Sequence, residues 1–274
     1  MAVTMADITK LRKMTGAGMM DCKNALNEAN GDFDGAMEII RKKGKAIAAK
    51  REDREASEGC VLADAKGDFA AIVALKCETD FVAQNQDFIA LTRSILDVAL
   101  EKRPADIEAL KTLTIDGRTI ADLIVDRSGI TGEKMELGYY GSLTAPSTIF
   151  YIHPGNKLAT IVGFNQKDID YQVARDVAMQ VAAMNPIAVN REEVPADVIA
   201  KELEIAKEKA REEGKKEEML DKIAQGRINK FFQEMTLLEQ IFVKDGKKTI
   251  QQYLSEQNKD LTAVSFVRFT LNAE

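Results

Sequence analysis

Cys77-Glu78-Thr79-Asp80-Phe81-Val82-Ala83-Gln84-Asn85 is where a strand pattern hands over to a helix pattern. Before it, Phe69-Ala70-Ala71-Ile72-Val73-Ala74-Leu75 is a near-continuous apolar run of strand length. After it, Phe88, Leu91, Ile95 and Ala99 recur at helical spacing, with Leu96 beside Ile95 on the same stripe. Thr79 and Asp80 are candidate N-caps, since a short oxygen-bearing side chain accepts the orphan N–H groups of a first turn. Phe81 has two readings. An aromatic beside a carboxylate at a first turn either tucks into the core or points outward as an anchor for another surface.

Upstream, Cys60-Val61-Leu62-Ala63 and Phe69 to Leu75 flank Lys66-Gly67-Asp68, a hairpin turn with the glycine such a turn requires. The same order returns later in the chain. Ser147 to Ile152 reads as a strand, His153-Pro154-Gly155-Asn156 as a turn and Leu158 to Phe164 as a second strand. A helix with Val173, Val177, Val181 and Met184 on one stripe follows, ending at Asn185-Pro186. Hairpin plus helix, twice, predicts an α+β fold with two related core subdomains, each an antiparallel sheet covered by helices. Where the first copy has Thr79-Asp80-Phe81-Val82, the second has Asn165-Gln166-Lys167-Asp168. The scaffold repeats and the acid–aromatic pair does not. That asymmetry weakens the core reading of Phe81, and both readings stand.

Outside the repeat, three short helical patterns fill the first 44 residues. Ile8, Leu11 and Met14 mark the first, stopped by Thr15-Gly16-Ala17-Gly18; Met19 to Leu26 starts the second, ending at Asn30-Gly31. Asp32 caps the third, which carries Phe33, Ala36, Ile39 and Ile40 and is expected to end at Lys42-Lys43-Gly44. Lys45 to Ser57 reads as a helical or flexible linker. Between the two copies only a helix around Ile120, Leu123 and Ile124 is legible, ahead of Ser128-Gly129. In 190–233, Pro195 opens a helix with Ile199, Leu203, Ala206 and Ala210 on one stripe. Gly214 breaks it, and Leu220, Ala224, Ile228 and Phe231 make a second stripe, together an antiparallel helical hairpin whose charge reads as a solvated face. Lys247 to Gln257 reads as a short helix, and Val264 to Phe269 alternates as a closing strand that returns to the second sheet. The expected division is 1–55, 56–144, 145–189 plus 234–274, and the insertion 190–233.

Composition narrows the function. The chain of 274 residues is 45% hydrophobic and 30% charged, as a well-solvated globular protein is. A net charge of -6 argues against nucleic-acid binding, which needs a concentrated basic surface. No apolar run approaches the ~20 residues that span a bilayer, and the first residues lack the basic and apolar regions of a signal peptide. Three cysteines, Cys22, Cys60 and Cys77, show neither disulfide nor zinc spacing, which predicts a reduced cytoplasmic setting. His153 is the one histidine, so no His-pair metal site or Ser–His–Asp arrangement is indicated, and in a Pro-Gly turn it reads first as a polar turn residue. Gly16-Ala17-Gly18 lacks the preceding strand and following lysine of a phosphate loop. No enzyme active site, cofactor or metal is expected. What remains reads as binding surface: Met14, Met19 and Met20 surround a glycine-rich loop in a bundle too small to bury all three, with a helix-capping core role standing beside the contact role.

Leu11-Arg12-Lys13-Met14-Thr15-Gly16-Ala17-Gly18-Met19-Met20-Asp21-Cys22-Lys23-Asn24-Ala25-Leu26 closely resembles the N-terminal signature of the bacterial elongation factor Ts family. Glu78 to Asn85 is similar to that family's core signature, and the resemblance runs almost the whole chain to Phe266-Val267-Arg268-Phe269. It implies an N-terminal three-helix, ubiquitin-associated-like bundle, a two-subdomain core and an inserted antiparallel coiled-coil hairpin. It also implies a guanine nucleotide exchange factor that binds elongation factor Tu, a GTPase, and promotes GDP release. Thr79, Asp80, Phe81 and Val82 would intrude beside the nucleotide site and disturb the GTPase's magnesium, with Phe81 as wedge and Asp80 competing with the segment that orders the metal. Magnesium demands near-ideal octahedral oxygen geometry, so a small displacement of its ligands weakens nucleotide holding sharply. By the same resemblance His153 would push near the phosphate-binding loop, and Met19 and Met20 would lie against a helix of the GTPase. A homodimer or a 2:2 complex is left open. Some members carry a further C-terminal helix after the closing strand; the sequence stops at Glu274 without one, so contacts through such a helix are not expected. Two rival readings stand beside this one: an adaptor acting through the three-helix domain, and a metabolic enzyme using acidic residues of the core.

Overall fold

The structure, a computed structural model, describes residues 3–272; the outer ends of the first and last expected segments, including Glu274, lie outside them. The chain divides into two compact units. One holds the chain up to Leu62 together with Val73–Gly141, and the other holds Ala63–Ile72 with Ser142–Thr270.

In the first unit α1 (Met5–Thr15) opens on a capping box. Thr4 Oγ1 accepts the Asp7 N–H and Asp7 Oδ2 accepts the Thr4 N–H, satisfying two donors at once. Gly16, at φ +72°, ends the helix in the left-handed conformation. α2 (Met19–Glu28) and α3 (Phe33–Ala49), the latter capped by Asp32, complete the bundle. Ile8, Leu11, Ala17, Cys22, Ala25, Leu26 and Ala36 form its core. α3 does not stop at Gly44 as expected; it continues to Ala49. Gly44 is a contact point rather than a cap. A Cβ built on Gly129 of the later helix Ile120–Thr131 would lie 2.2 Å from the Gly44 Cα, so the two backbones cross where neither carries a side chain.

Next come β1 (Glu58–Lys66), β2 (Phe69–Cys77), the single turn α4 (Asp80–Ala83) and α5 (Gln86–Lys102). The helix expected after β2 is therefore two pieces, because Asn85 caps a new start by accepting the Asp87 N–H. Phe88, Ile95, Leu96 and Ala99 are buried, as the stripe predicts. α6 (Ile107–Thr112), β3 (Thr114–Ile115), β4 (Arg118–Thr119), α7 (Ile120–Thr131) and β5 (Met135–Thr144) fill the stretch where the sequence shows only one helical stripe. Asp116 and Gly117, at φ +51° and +77°, form the two-residue turn between β3 and β4, an Asp-Gly signal the sequence did carry. α7 runs past Ser128-Gly129 to Thr131. β5 makes β1 and β2 into a sheet of order β1-β2-β5.

The second unit repeats that order. β6 (Ser147–Ile152), β7 (Leu158–Phe164) and α8 (Tyr171–Met184) are the hairpin and helix. α9 (Ala196–Glu212), α10 (Glu217–Met235), β8 (Ile241–Phe242), β9 (Asp245–Thr249), α11 (Ile250–Gln257) and β10 (Ala263–Thr270) follow. The sheet order is β10-β7-β6, both pairings antiparallel, with Val162 facing Ile149 on one side and Phe266 on the other. In each sheet the second hairpin strand is central and the third strand arrives later, so the repeat read from the sequence extends to topology. Val162, Phe164, Val177, Val181, Leu237 and Leu254 are among the core residues here. The expected helix from Lys247 begins only at Ile250, because Asp245–Thr249 is committed to β9 and Thr249 starts the helix with a capping box. α9 and α10 run antiparallel: Lys207 pairs with Asp221 at 2.6 Å and Arg211 with Glu217 at 2.9 Å. Their seam buries Ala206, Ala210, Leu220, Ala224, Ile228 and Phe232. Phe232, a full turn after Ile228, takes the buried place expected of Phe231, which is only partly covered.

Candidate functional site: the turn between β2 and α5

The β2 strand ends at Cys77, whose thiol donates to the Thr79 carbonyl at 3.2 Å. Burial, then the nearby Glu133 carboxylate, pushes that thiol up to about 12, so it stays a neutral donor. Thr79 is the N-cap of α4, its hydroxyl accepting the Val82 N–H at 3.4 Å, and Asp80 is the first helical residue rather than the cap. Ala83 is buried, Val82 half-buried, and Asp80 exposed. Phe81 is 85% exposed. The core reading of this aromatic is thereby overturned: α4 buries Ala83 and turns the next-but-one side chain outward.

A single turn of four residues has little stability of its own. The support comes from the segment after α7. Glu133 Oε2 accepts the N–H groups of Glu78 at 3.2 Å and Thr79 at 3.1 Å, and Oε1 accepts the Thr79 hydroxyl at 2.6 Å. In return the Glu78 carboxylate accepts the Lys134 N–H at 2.6 Å. Arg51 and Arg54, just past α3, each approach Glu78 to 3.7 Å. On the other side Arg127 bonds Asp87 at 2.9 Å and Asn85 Oδ1 at 3.3 Å, tying α7 to the start of α5. An exposed acid and an exposed aromatic thus sit on a turn whose two flanks are held by charged, hydrogen-bonded side chains. An exposed aromatic on a rigid frame is a side chain that can enter a partner's pocket with little ordering cost.

The other residues singled out from the sequence are distributed over both units. Met19 and Met20 lie in the first turn of α2 and are 36% and 64% exposed; Met14, at the end of α1, is 53% exposed. His153 belongs to the second unit. It is exposed at the β6–β7 turn, its N–H donating to the Leu158 carbonyl at 2.9 Å, with Gly155 and Asn156 supplying positive φ. Its Nδ1 lies 3.0 Å from the Tyr151 hydroxyl, and the Arg175 guanidinium covers the Tyr151 ring at 5.7 Å. The Tyr151 contact favours one orientation of the imidazole. Glu133 escaped the sequence reading altogether: it stands 54 residues from Thr79, and nothing local to Gly132-Glu133-Lys134 announces a partner. Among the described residues, no group of three or more His, Cys, Asp or Glu is arranged to hold a metal ion, and no helix is long and apolar enough to cross a membrane.

Comparison with known proteins gives a consistent answer. Residues 78–273 match the family described as Elongation factor TS. The chain is 64% identical over 275 residues to Elongation factor Ts of Porphyromonas gingivalis, spanning the whole of both chains. It is 61% identical over 274 residues to the protein of the same name from Azobacteroides pseudotrichonymphae, and 47% over 331 residues to that of Bacteroides thetaiotaomicron, again covering both chains fully.

Proposed function

We infer from its membership of the elongation factor Ts family, to which this chain belongs, that it is the guanine nucleotide exchange factor of elongation factor Tu in translation elongation. We further propose that Thr79, Asp80, Phe81 and Val82 are the segment that disturbs the magnesium and phosphate site of the GTPase. The carrying observation is Phe81, 85% exposed beside Asp80 on a turn fastened at both flanks. A large apolar side chain left mostly in water on a fastened turn adds little to the stability of the isolated chain, and its use lies in a complex.

Exchange by this route needs no covalent step, so the chain acts as a binding protein and not as an enzyme. The factor binds the nucleotide-free GTPase best; by linkage each ligand then lowers the affinity of the other by the same factor. Asp80 competes for groups that order the magnesium, and Phe81 occupies the space they vacate. Met19 and Met20 form a second contact, adaptable because thioether chains are flexible and polarisable. His153, aligned by Tyr151, forms a third on the second unit. In this reading α1–α3, with residues to 55, are a ubiquitin-associated-like domain. Residues 56–144 and 145–189 plus 234–274 are the two core subdomains, and 190–233 is an inserted coiled-coil hairpin. The setting is the cytoplasm, without nucleic acid or membrane as partner, and a homodimer or 2:2 complex is compatible with it.

The test is release of fluorescent GDP from the cognate elongation factor Tu in excess unlabelled nucleotide. Strong acceleration by the chain, fading in Phe81→Ala, supports the assignment. No acceleration by folded chain refutes it and favours the adaptor reading, in which α1–α3 alone retain the partner.

A further inference from the structure

We propose that Glu133 is a positioning residue for exchange: its carboxylate holds the Thr79–Val82 turn in the conformation that presents Asp80 and Phe81. This rests on the exchange reading above and adds a residue to it. Glu133 bonds the turn at three points, through the Glu78 and Thr79 N–H groups and the Thr79 hydroxyl. Those two N–H groups lie at the end of β2, where the strand has left its ladder and the first turn of α4 has not begun, so without an acceptor they would be orphans. A carboxylate is suited to the task because it offers two oxygens and only accepts.

Glu133 is itself fixed. It follows Gly132, which ends α7 at φ +74°; its N–H donates to Thr131 Oγ1 at 3.3 Å and its carbonyl accepts from Ser128 Oγ at 2.5 Å. The geometry therefore runs from the end of α7 through one carboxylate to the turn. The reciprocal Glu78–Lys134 bond makes a second tie in the same place, and Arg51 and Arg54 hold Glu78 from the bundle side. Neither Asp80 nor Phe81 takes part in this frame, so their side chains remain available to a partner.

The experiment compares the full chain with Glu133→Ala and Glu133→Gln. In Glu133→Gln the amide carbonyl can still accept both N–H groups and its NH2 can donate to the Thr79 hydroxyl, so geometry survives without charge. Two readouts are taken: amide hydrogen exchange at Glu78 and Thr79 by NMR, and the GDP-release rate as a function of chain concentration. The expected result is loss of protection at those two amides in Glu133→Ala, with the rest of α5 and β2 unchanged. The saturating release rate should fall on the order of tenfold, because a misplaced reacting group loses rate steeply, while the half-saturating concentration moves less. Glu133→Gln should recover most of both. Unchanged protection, an unchanged saturating rate beside an active parent chain, or Glu133→Gln as impaired as Glu133→Ala would each overturn the proposal. If the parent chain does not accelerate release at all, the exchange reading fails and the amide readout alone decides whether Glu133 holds the turn. Should Glu133→Ala not fold, Glu133→Asp, which withdraws the carboxylate by one methylene, carries the same comparison.

Discussion

Phe81→Ala separates anchoring a partner from supporting the fold. Removing a buried phenylalanine costs about 3–5 kcal/mol, the transfer of the ring plus the cavity left behind. With 85% of Phe81 exposed, little cavity can form, and scaling by the covered fraction leaves about 0.5 kcal/mol. Phe88, fully buried one helix later, is the internal control and should show the full loss. On the binding side, truncating an aromatic anchor at the centre of an interface costs about 2 kcal/mol or more, equivalent to roughly 30-fold in rate or affinity. The assay pairs urea unfolding of both variants with release of labelled GDP from elongation factor Tu. The expected pattern is a wild-type-like unfolding midpoint for Phe81→Ala with release slowed by about 30-fold. A midpoint shift approaching that of Phe88→Ala, or undiminished release, would refute the reasoning.

Asp80→Ala should cost under about 1 kcal/mol, since Thr79 and not Asp80 is the cap, yet should slow GDP release; normal release would return Asp80 to a purely local role. Gly129→Ala and Gly44→Ala should differ. The new Cβ at 129 would lie 2.2 Å from the Gly44 Cα and force α3 and α7 apart, costing about 1–3 kcal/mol in thermal or urea unfolding. The Cβ at 44 meets the Gly129 Cα at an ordinary 3.6 Å and should be neutral or gain up to about 1 kcal/mol from helix propensity. Alkaline pH should destabilise the fold: burial raises Cys60 from 9.0 to about 11 and Cys77 from 9.0 to about 12. Between those values the unfolded thiols have lost their protons and the folded ones have not, so stability is complete below pH 9 and falls as pH rises towards 12. Tyr253, raised from 10.0 to about 12 by burial and the Asp176 carboxylate, adds to the same slope. A urea midpoint flat from pH 8 to 10.5 would contradict this.

Much of the architecture is legible because its causes are local. Gly67 and His153-Pro154-Gly155-Asn156 are turns by their own conformational preferences, and the apolar runs and stripes around them have periods a reader can count. β5 is hard to read although Met135 and Leu137 alternate with Glu136 and Gly138 and two tyrosines favour a strand, because Gly138 and Gly141 interrupt the run. Phe231 and Phe232 were exchanged because adjacent aromatics on a helix satisfy the same stripe within one residue.

The sequence by itself determined the two hairpin-plus-helix copies, the inserted helical pair, and the asymmetry that marks Asp80 and Phe81, all products of short-range pattern. Only the tertiary structure decided that Phe81 stands in solvent, that Gly44 carries a helix through instead of ending it, and that Glu133 holds the turn. Each depends on a group far along the chain: what covers a ring, which backbone crosses a glycine, which carboxylate reaches two unpaired N–H groups. Distances of that kind exist only after the chain has folded.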